Sequence, residues 1–306
     1  MIKSLKALIK EKYDFVEEDP ISVGGFGQIY IIKDKKVNTQ YVLKQILKQD
    51  PKNSKKSLSN KISYENEIDF LKFVKGKNIL KLIDYYEDEK DKYYYIILEK
   101  MDGDLEDMLE KYKNGMPSKL IRKIFSQINS GLESMLDCSK CHRDLKPSNI
   151  LYSYVNNEKK DFVIKLGDFG LATDLKYTQY ATDAGTKLFK APEVEEGKYS
   201  YKCDLYSIGI ILYYLKTGEY IFDGKREIDI LNNKDKNIIK KDTDDELLNN
   251  LIRKLVVNEP HKRMEWDDYF KDPFFKFDDD DIEQNKECKI NYIFNKIKYW
   301  KVILIK

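Results

Sequence analysis

The chain is short of cysteine, of histidine, of long apolar runs and of net charge, and each shortage closes off a class of protein. Four cysteines in 306 residues make no disulfide framework, so a reducing compartment, cytosol or nucleus, is expected. Cys138 and Cys141 form a lone C-x-x-C, but a closed zinc site needs two further soft ligands at matched spacing, and only Cys203, Cys288, His142 and His261 remain. Plain burial beside His142 is the preferred reading of that pair. No apolar run is long enough to span a bilayer, so no transmembrane segment is expected. Residues 1–12 scatter Lys3, Lys6 and Lys10 among Ile2, Leu5, Leu8 and Ile9, an amphipathic helix pattern rather than a signal peptide. Lysine plus arginine (55) and aspartate plus glutamate (53) nearly cancel, so no global field draws the chain to nucleic acid or an anionic membrane. The expectation is an intracellular, cytoplasmic globule, long enough for one large domain or two lobes around a cleft.

What is present changes character along the chain. Residues 21–32 and 41–47 are rich in β-branched and aromatic side chains and flank a turn at 34–38, which predicts a hairpin. Residues 59–74 set Ile62, Ile68, Phe70, Leu71 and Val74 at partly helical spacing, and 79–86 and 93–98 return to strand character. A small sheet carrying one helix is expected there. From Asp104 onward, 120–136, 201–215 and 246–257 carry helical periodicity, so the second part is mainly helical. Between its first two long helices, 141–171 is dense in Asp, Asn, Lys and Gly, and loops of that kind on rigid helices tend to hold chemistry. The Lys/Ser/Asn stretch 52–61 reads as a mobile loop and the acidic run 278–281 as a linker.

Ser22-Val-Gly24-Gly25-Phe26-Gly27-Gln-Ile29 is, alone, a glycine-rich turn that steric need can explain. Lys44, in Tyr41-Val42-Leu43-Lys44, changes its weight, because a lysine at this distance after a glycine hairpin can reach phosphates lying beneath it. Farther on stand His142-Arg143-Asp144-Leu145-Lys146-Pro147-Ser148-Asn149, then Asp168-Phe169-Gly170, then Ala191-Pro192-Glu193. In this order the motifs resemble the eukaryotic protein kinase family, serine/threonine type, over residues 15–275.

The resemblance implies an α+β fold of two lobes: a small β-sheet lobe with one main helix at about 13–98, a hinge at 99–103, and a larger helical lobe at 104–277. Residues 1–12 then form an N-terminal extension and 278–306 a tail. It implies transfer of the γ-phosphoryl group of ATP, with Mg2+, to serine or threonine hydroxyls of protein substrates. Such transfer spreads charge over the equatorial oxygens, so catalysis is mostly positioning and neutralisation. Asp168 and Asn149 match the magnesium ligands, and Asp144 matches the carboxylate that orients the substrate hydroxyl and accepts its proton. Lys146 matches the residue that neutralises the γ-phosphate, and Thr186 the threonine that hydrogen-bonds beside them. Lys44 needs a carboxylate from the helix near 59–74; the family spacing to Asn78-Ile79 selects Glu67, with Glu65 as the alternative. Ser22, Gly24, Gly25, Phe26 and Gly27 would cover the phosphates, and Ile21, Ile29, Val42 and Leu151 would sandwich adenine. Leu98 would close the back of that pocket, Glu99 and Met101 would supply the hinge, and Asp104 would face the ribose or a basic substrate side chain. Glu193 is expected to pair with Arg263, and Asp204 to cap the catalytic loop from below.

The sequence departs from the family pattern at Ser22, where a first glycine is usual, and at 185–190, which lacks a common proline and tyrosine. A pseudokinase scaffold is the rival reading, but its signature is loss of residues that are present here: Lys44, Asp144, Asn149 and Asp168. A small-molecule or lipid kinase is weakened by Gly185-Thr186 and Ala191-Pro192-Glu193. Arg143 needs an anionic partner, in similar kinases a phosphorylated loop residue; Thr182, then Thr178, is the expected site, with Asp183 or Asp174 as the alternative anion. In the tail, 290–305 aligns Ile290, Ile293, Phe294, Ile297, Trp300 and Leu304 on one helical face, which predicts docking on the kinase lobe or a partner, with a membrane-surface helix or disorder as alternatives.

Overall fold

Alternation of apolar side chains builds the first half of the chain. The structure, a computed structural model, describes residues 5–276 except 25–26, 50–52, 88–90, 157–159, 175–186, 196, 198–199, 223, 225–228, 230–231 and 235–239. Helix α1 (Leu5–Lys12) leads into β1 (Tyr13–Phe15), β2 (Ser22–Gly24), β3 (Gly27–Asp34), β4 (Gln40–Leu47), α2 (Ser54–Phe73), β5 (Leu82–Tyr86) and β6 (Tyr93–Glu99). These strands form one antiparallel sheet in the order β1-β3-β4-β6-β5, with β2 also on β3. Successive residues of β6 point to opposite faces, so Tyr95 and Ile97 join Ile9, Tyr13, Ile32 and Leu43 in an outer core, while Ile96 and Leu98 face the inner core with Ile46, Tyr64 and Leu71. The outer core is where α1 docks: Ile9 is buried there, and Lys12 reaches Asp84 at 3.1 Å.

Two boundaries differ from the sequence reading. Residues 54–61 are the opening turns of α2 rather than loop, because the Asn53 side chain accepts from the Lys56 N–H and starts the helix early. The strand expected from residue 79 begins only at Leu82. Residues 78–80 are drawn instead to the second lobe, where Leu80 N donates to Leu166 O (2.9 Å) and Leu166 N to Asn78 O (2.9 Å).

The second lobe opens with β7 (Gly103–Asp104) and α3 (Leu105–Leu109), followed by α4 (Ser118–Asp137) and β8 (Lys140–Cys141). A hairpin of β9 (Ile150–Tyr154) and β10 (Phe162–Leu166), then β11 (Thr173–Asp174), precede α5 (Pro192–Glu195), α6 (Cys203–Thr217), α7 (Glu246–Leu255) and α8 (Trp266–Phe270). Helix α6 is apolar on almost every side and buried along nearly its whole length, as a central helix must be. Beneath it Arg263 is fully buried, with its guanidinium forked onto Glu193 at 2.7 and 3.0 Å and onto the carbonyls of Lys202 and Val257. Those bonds satisfy the buried charge. No helix among the described residues is long and apolar enough to cross a membrane.

Candidate active site

The two lobes meet at Lys44. It lies on β4 opposite Ile29 and Ile96, and is 6% exposed. The glycine hairpin packs close above: Gly27 has φ +132°, and a Cβ there would stand 2.2 Å from the Gln45 carbonyl oxygen, so no other residue fits without displacing β4. Lys44 Nζ lies 2.7 Å from Glu67 Oε2 and 2.8 Å from Asp168 Oδ1. Glu67 is on the inner face of α2 and 1% exposed. Two residues earlier is about 200° around a helix, and Glu65 accordingly points to solvent, paired with Lys61 at 3.7 Å. Burial alone would lower the Lys44 pKa, but the Asp168 and Glu67 carboxylates outweigh it and hold the ammonium charged. Burial likewise works against ionised Asp168, yet Lys44 prevails and its carboxyl titrates below the usual range. At Glu67 burial prevails over Lys44, and the pKa is raised.

The loop from His142 to Asn149 is held from beneath, because the Asp204 carboxylate accepts from the N–H groups of His142 (2.7 Å) and Arg143 (2.8 Å). That anchor lets Arg143 keep a φ of +66°. The His142 ring lies 3.0 Å through Nε2 from the Gly167 carbonyl, while its Nδ1 faces the Asp144 N–H at 3.4 Å. The geometry therefore calls for the tautomer protonated at Nε2. Asp144 is 3% exposed; its Oδ2 lies 3.0 Å from Lys146 Nζ and 3.1 Å from Asn149 Nδ2, which also donates to the Asp144 carbonyl at 2.8 Å. With its nitrogen so engaged, Asn149 keeps its amide oxygen as an acceptor. Arg143 Nε donates to the Leu171 carbonyl at 2.8 Å.

Of the residues that the sequence marks for adenine and ribose, Val42 and Leu98 are register partners on β4 and β6, and Asp104 and Leu151 are partners on β7 and β9. Ile21 is half exposed, whereas Ile29, Val42, Leu151 and Met101 are half-buried. Ser22 and Gly24 stand on β2. Asp104 is already engaged: its Oδ1 accepts from Glu106 N (2.8 Å) and Asp107 N (3.1 Å) as the N-cap of α3, and burial raises its pKa. The Glu99 side chain, for which the sequence offered no role, accepts from Lys81 N (2.6 Å) and lies 2.5 Å from Lys165 Nζ. Gly25, Phe26, Thr178, Thr182, Thr186 and the stretch 290–305 lie outside the described residues.

No group of three or more His, Cys, Asp or Glu side chains able to hold a metal occurs among the described residues. Asp168 and Asn149 offer the hard oxygen donors that suit magnesium, an ion that completes its octahedron with water and phosphate oxygens rather than with a protein cage. The donor set and the restricted glycine at 27 both fit a nucleotide carrying that ion.

A strand-rich lobe and a helical lobe that meet on a lysine bridged to two carboxylates define the two-lobed kinase fold. The sequence matches the protein kinase domain over residues 15–275, and the chain belongs to that family. It is 35% identical over 232 residues to calcium-dependent protein kinase 4 of Plasmodium berghei, covering 75% of this chain and 42% of that protein. Calcium-dependent protein kinase 3 of the same organism is 32% identical over 280 residues (87% and 47%). The serine/threonine-protein kinase atg1 of Dictyostelium discoideum is 30% identical over 280 residues (89% and 41%). The chain thus spans less than half the length of these curated relatives.

Proposed function

We propose that this chain is an ATP-dependent serine/threonine protein kinase. The observation that carries the reading is the simultaneous pairing of Lys44 with Glu67 and Asp168, with Asp144, Lys146 and Asn149 bonded to one another in the same cleft. Lys44, kept charged and held on both sides, binds the α- and β-phosphates. Asp168 and Asn149 would hold Mg2+, which when bound supplies positive charge to the phosphate oxygens. Asp144 orients the incoming serine or threonine hydroxyl and takes its proton as the new O–P bond forms and the bond to ADP breaks. Lys146, already beside that carboxylate, neutralises the group in transit, and Thr186 supports the pair. Ile21, Ile29, Val42, Leu98 and Leu151 enclose adenine against the backbone of Glu99 and Met101.

Names of relatives, serine/threonine and calcium-dependent protein kinases, support the hydroxyl specificity. Arg143 answers a phosphate on Thr182 or Thr178, residues 290–305 dock on the kinase lobe or a partner, and the protein works inside the cell, in the cytoplasm. Incubating the chain with Mg-ATP and a generic basic protein should yield phosphoserine or phosphothreonine, and Asp144→Asn should abolish it while sparing nucleotide binding. Near-normal turnover in Asp144→Asn, or no protein phosphate from the unmodified chain, overturns the reading.

A further inference from the structure

The inner stripe of α2 carries more than Glu67. Ser63, Asn66, Glu67 and Phe70 fall at i, i+3, i+4 and i+7, one face of the helix. Three of them meet the segment that follows Asp168. Asn66 Nδ2 donates to the Gly170 carbonyl at 3.3 Å. Ser63 is buried, its Oγ has no hydrogen-bond partner, and a Cβ on Gly170 would stand 2.1 Å from it, so the backbone there runs hard against the helix. Phe70 lies flat on Phe169, ring centroids 4.0 Å apart and 12° from parallel. Asp168 itself has φ +58°, a left-handed backbone that is uncommon outside glycine, though aspartate adopts it more readily than most residues. The ring stack fixes residue 169 and the close approach fixes how near residue 170 lies, but neither sets the rotation of the peptide that ends in the Gly170 carbonyl. Ala172 N–H holds the carbonyl before it, that of Phe169 (3.0 Å), and Arg143 Nε the one after it, that of Leu171 (2.8 Å), while at the Gly170 carbonyl itself the directional contact is the Asn66 amide.

We propose that Asn66 is a positioning residue for magnesium-bound nucleotide: by holding the Gly170 carbonyl it keeps the backbone of 168–170 in the turn that presents Asp168 to the metal. The inference rests on the kinase reading above. Glu67, one residue on, fixes Lys44, so a single helix face sets both the phosphate-binding lysine and the metal-binding aspartate. Without the amide donor, the turn is occupied for only part of the time, and apparent affinity for the metal complex falls by that fraction.

The test compares wild type, Asn66→Leu, which keeps the shape without the donor, and Asn66→Gln, which keeps a donor. Calorimetric titration with ATP is run in Mg2+ and in EDTA, with hydrogen exchange of amides 169–172 measured on the ligand-free chain. In Asn66→Leu the tightening that Mg2+ brings should shrink about 3- to 10-fold, the loss of roughly one hydrogen bond. Affinity in EDTA and the thermal midpoint should stay at wild-type values, those amides should exchange faster, and Asn66→Gln should recover part of the difference. An unchanged Mg2+ increment with unchanged exchange overturns the proposal, as does equal weakening with and without Mg2+, which marks a merely structural role. Protein phosphorylation is read separately: a wild type that tightens on Mg2+ yet phosphorylates nothing counts against the kinase reading, while the variant comparison still decides on Asn66.

Discussion

Glu67→Ala against Glu65→Ala separates two carboxylates only two residues apart. Glu67 is 1% exposed and sits 2.7 Å from Lys44 Nζ, so its removal takes from a buried ammonium one of the two carboxylates that face it, leaving Asp168 at 2.8 Å. Breaking a buried pair by removing one member costs about 3–5 kcal/mol. On the proposed reading, Asp168 then serves Lys44 more tightly and Mg2+ less well. If most of that cost falls on the nucleotide-bound state, kcat/KM for ATP drops by about 10²–10⁴. Glu65 makes an exposed i−4 pair with Lys61 at 3.7 Å, of a kind contributing about 0.3–0.5 kcal/mol, so Glu65→Ala should change the rate by less than about threefold. The assay is initial rate against ATP concentration with a saturating protein substrate, with thermal melts to confirm that both variants fold. Equal effects, or a Glu67→Ala enzyme within about threefold of wild type, would refute the helix register and the role of the pair together.

Glu193→Gln should cost about 3–5 kcal/mol in urea unfolding, because it strips the bidentate partner from a fully buried Arg263; a loss under about 1 kcal/mol counts against it. Gly170→Ala should be strongly impaired by collision with Ser63 Oγ, and adding Ser63→Ala should restore part of the activity; no recovery means that the obstruction lies elsewhere. Asp168 binds its proton more weakly folded than unfolded, so its contribution to stability is present above about pH 4 and lost as pH falls through the lowered folded value. Glu67, whose pKa burial raises, has the opposite sign, so the comparison is with Asp168→Asn, whose urea stability should fall less than wild type on acidification. Replacing Thr178 and Thr182 together by alanine should lower activity at least about tenfold, and full activity with no phosphate on the loop by mass spectrometry favours constitutive activity.

The sheet was legible because residues 93–98 are apolar on both alternating sets, and both of its faces are indeed covered, by α2 and by α1. The start of α2 was not, since a run of Lys, Ser and Asn gives no apolar stripe and a single cap at Asn53 decides the matter. Lys44 and Asp168 announce themselves by motif, but choosing Glu67 over Glu65 took the family spacing, because both stand on one helix and sequence alone does not say which side turns inward. Nothing in the sequence marks Asn66 or Ser63. Their meaning depends on how closely Gly170 approaches, a distance between segments a hundred residues apart. Asp104 shows the converse: a residue marked for ligand contact turns out to have part of its carboxylate spent on starting a helix.

Residues 78–80, bonded to β10 instead of to their own sheet, give the upper lobe a second attachment besides the covalent link at 99–103. The Asn78 side chain adds a 2.6 Å bond to the Ile164 carbonyl, and Glu99 ties Lys81 to Lys165. A single link would leave the upper lobe free to swivel; this row of bonds beside it resists sideways rotation, while tipping the lobes apart must also part the Lys44–Asp168, Asn66–Gly170 and Phe70–Phe169 contacts.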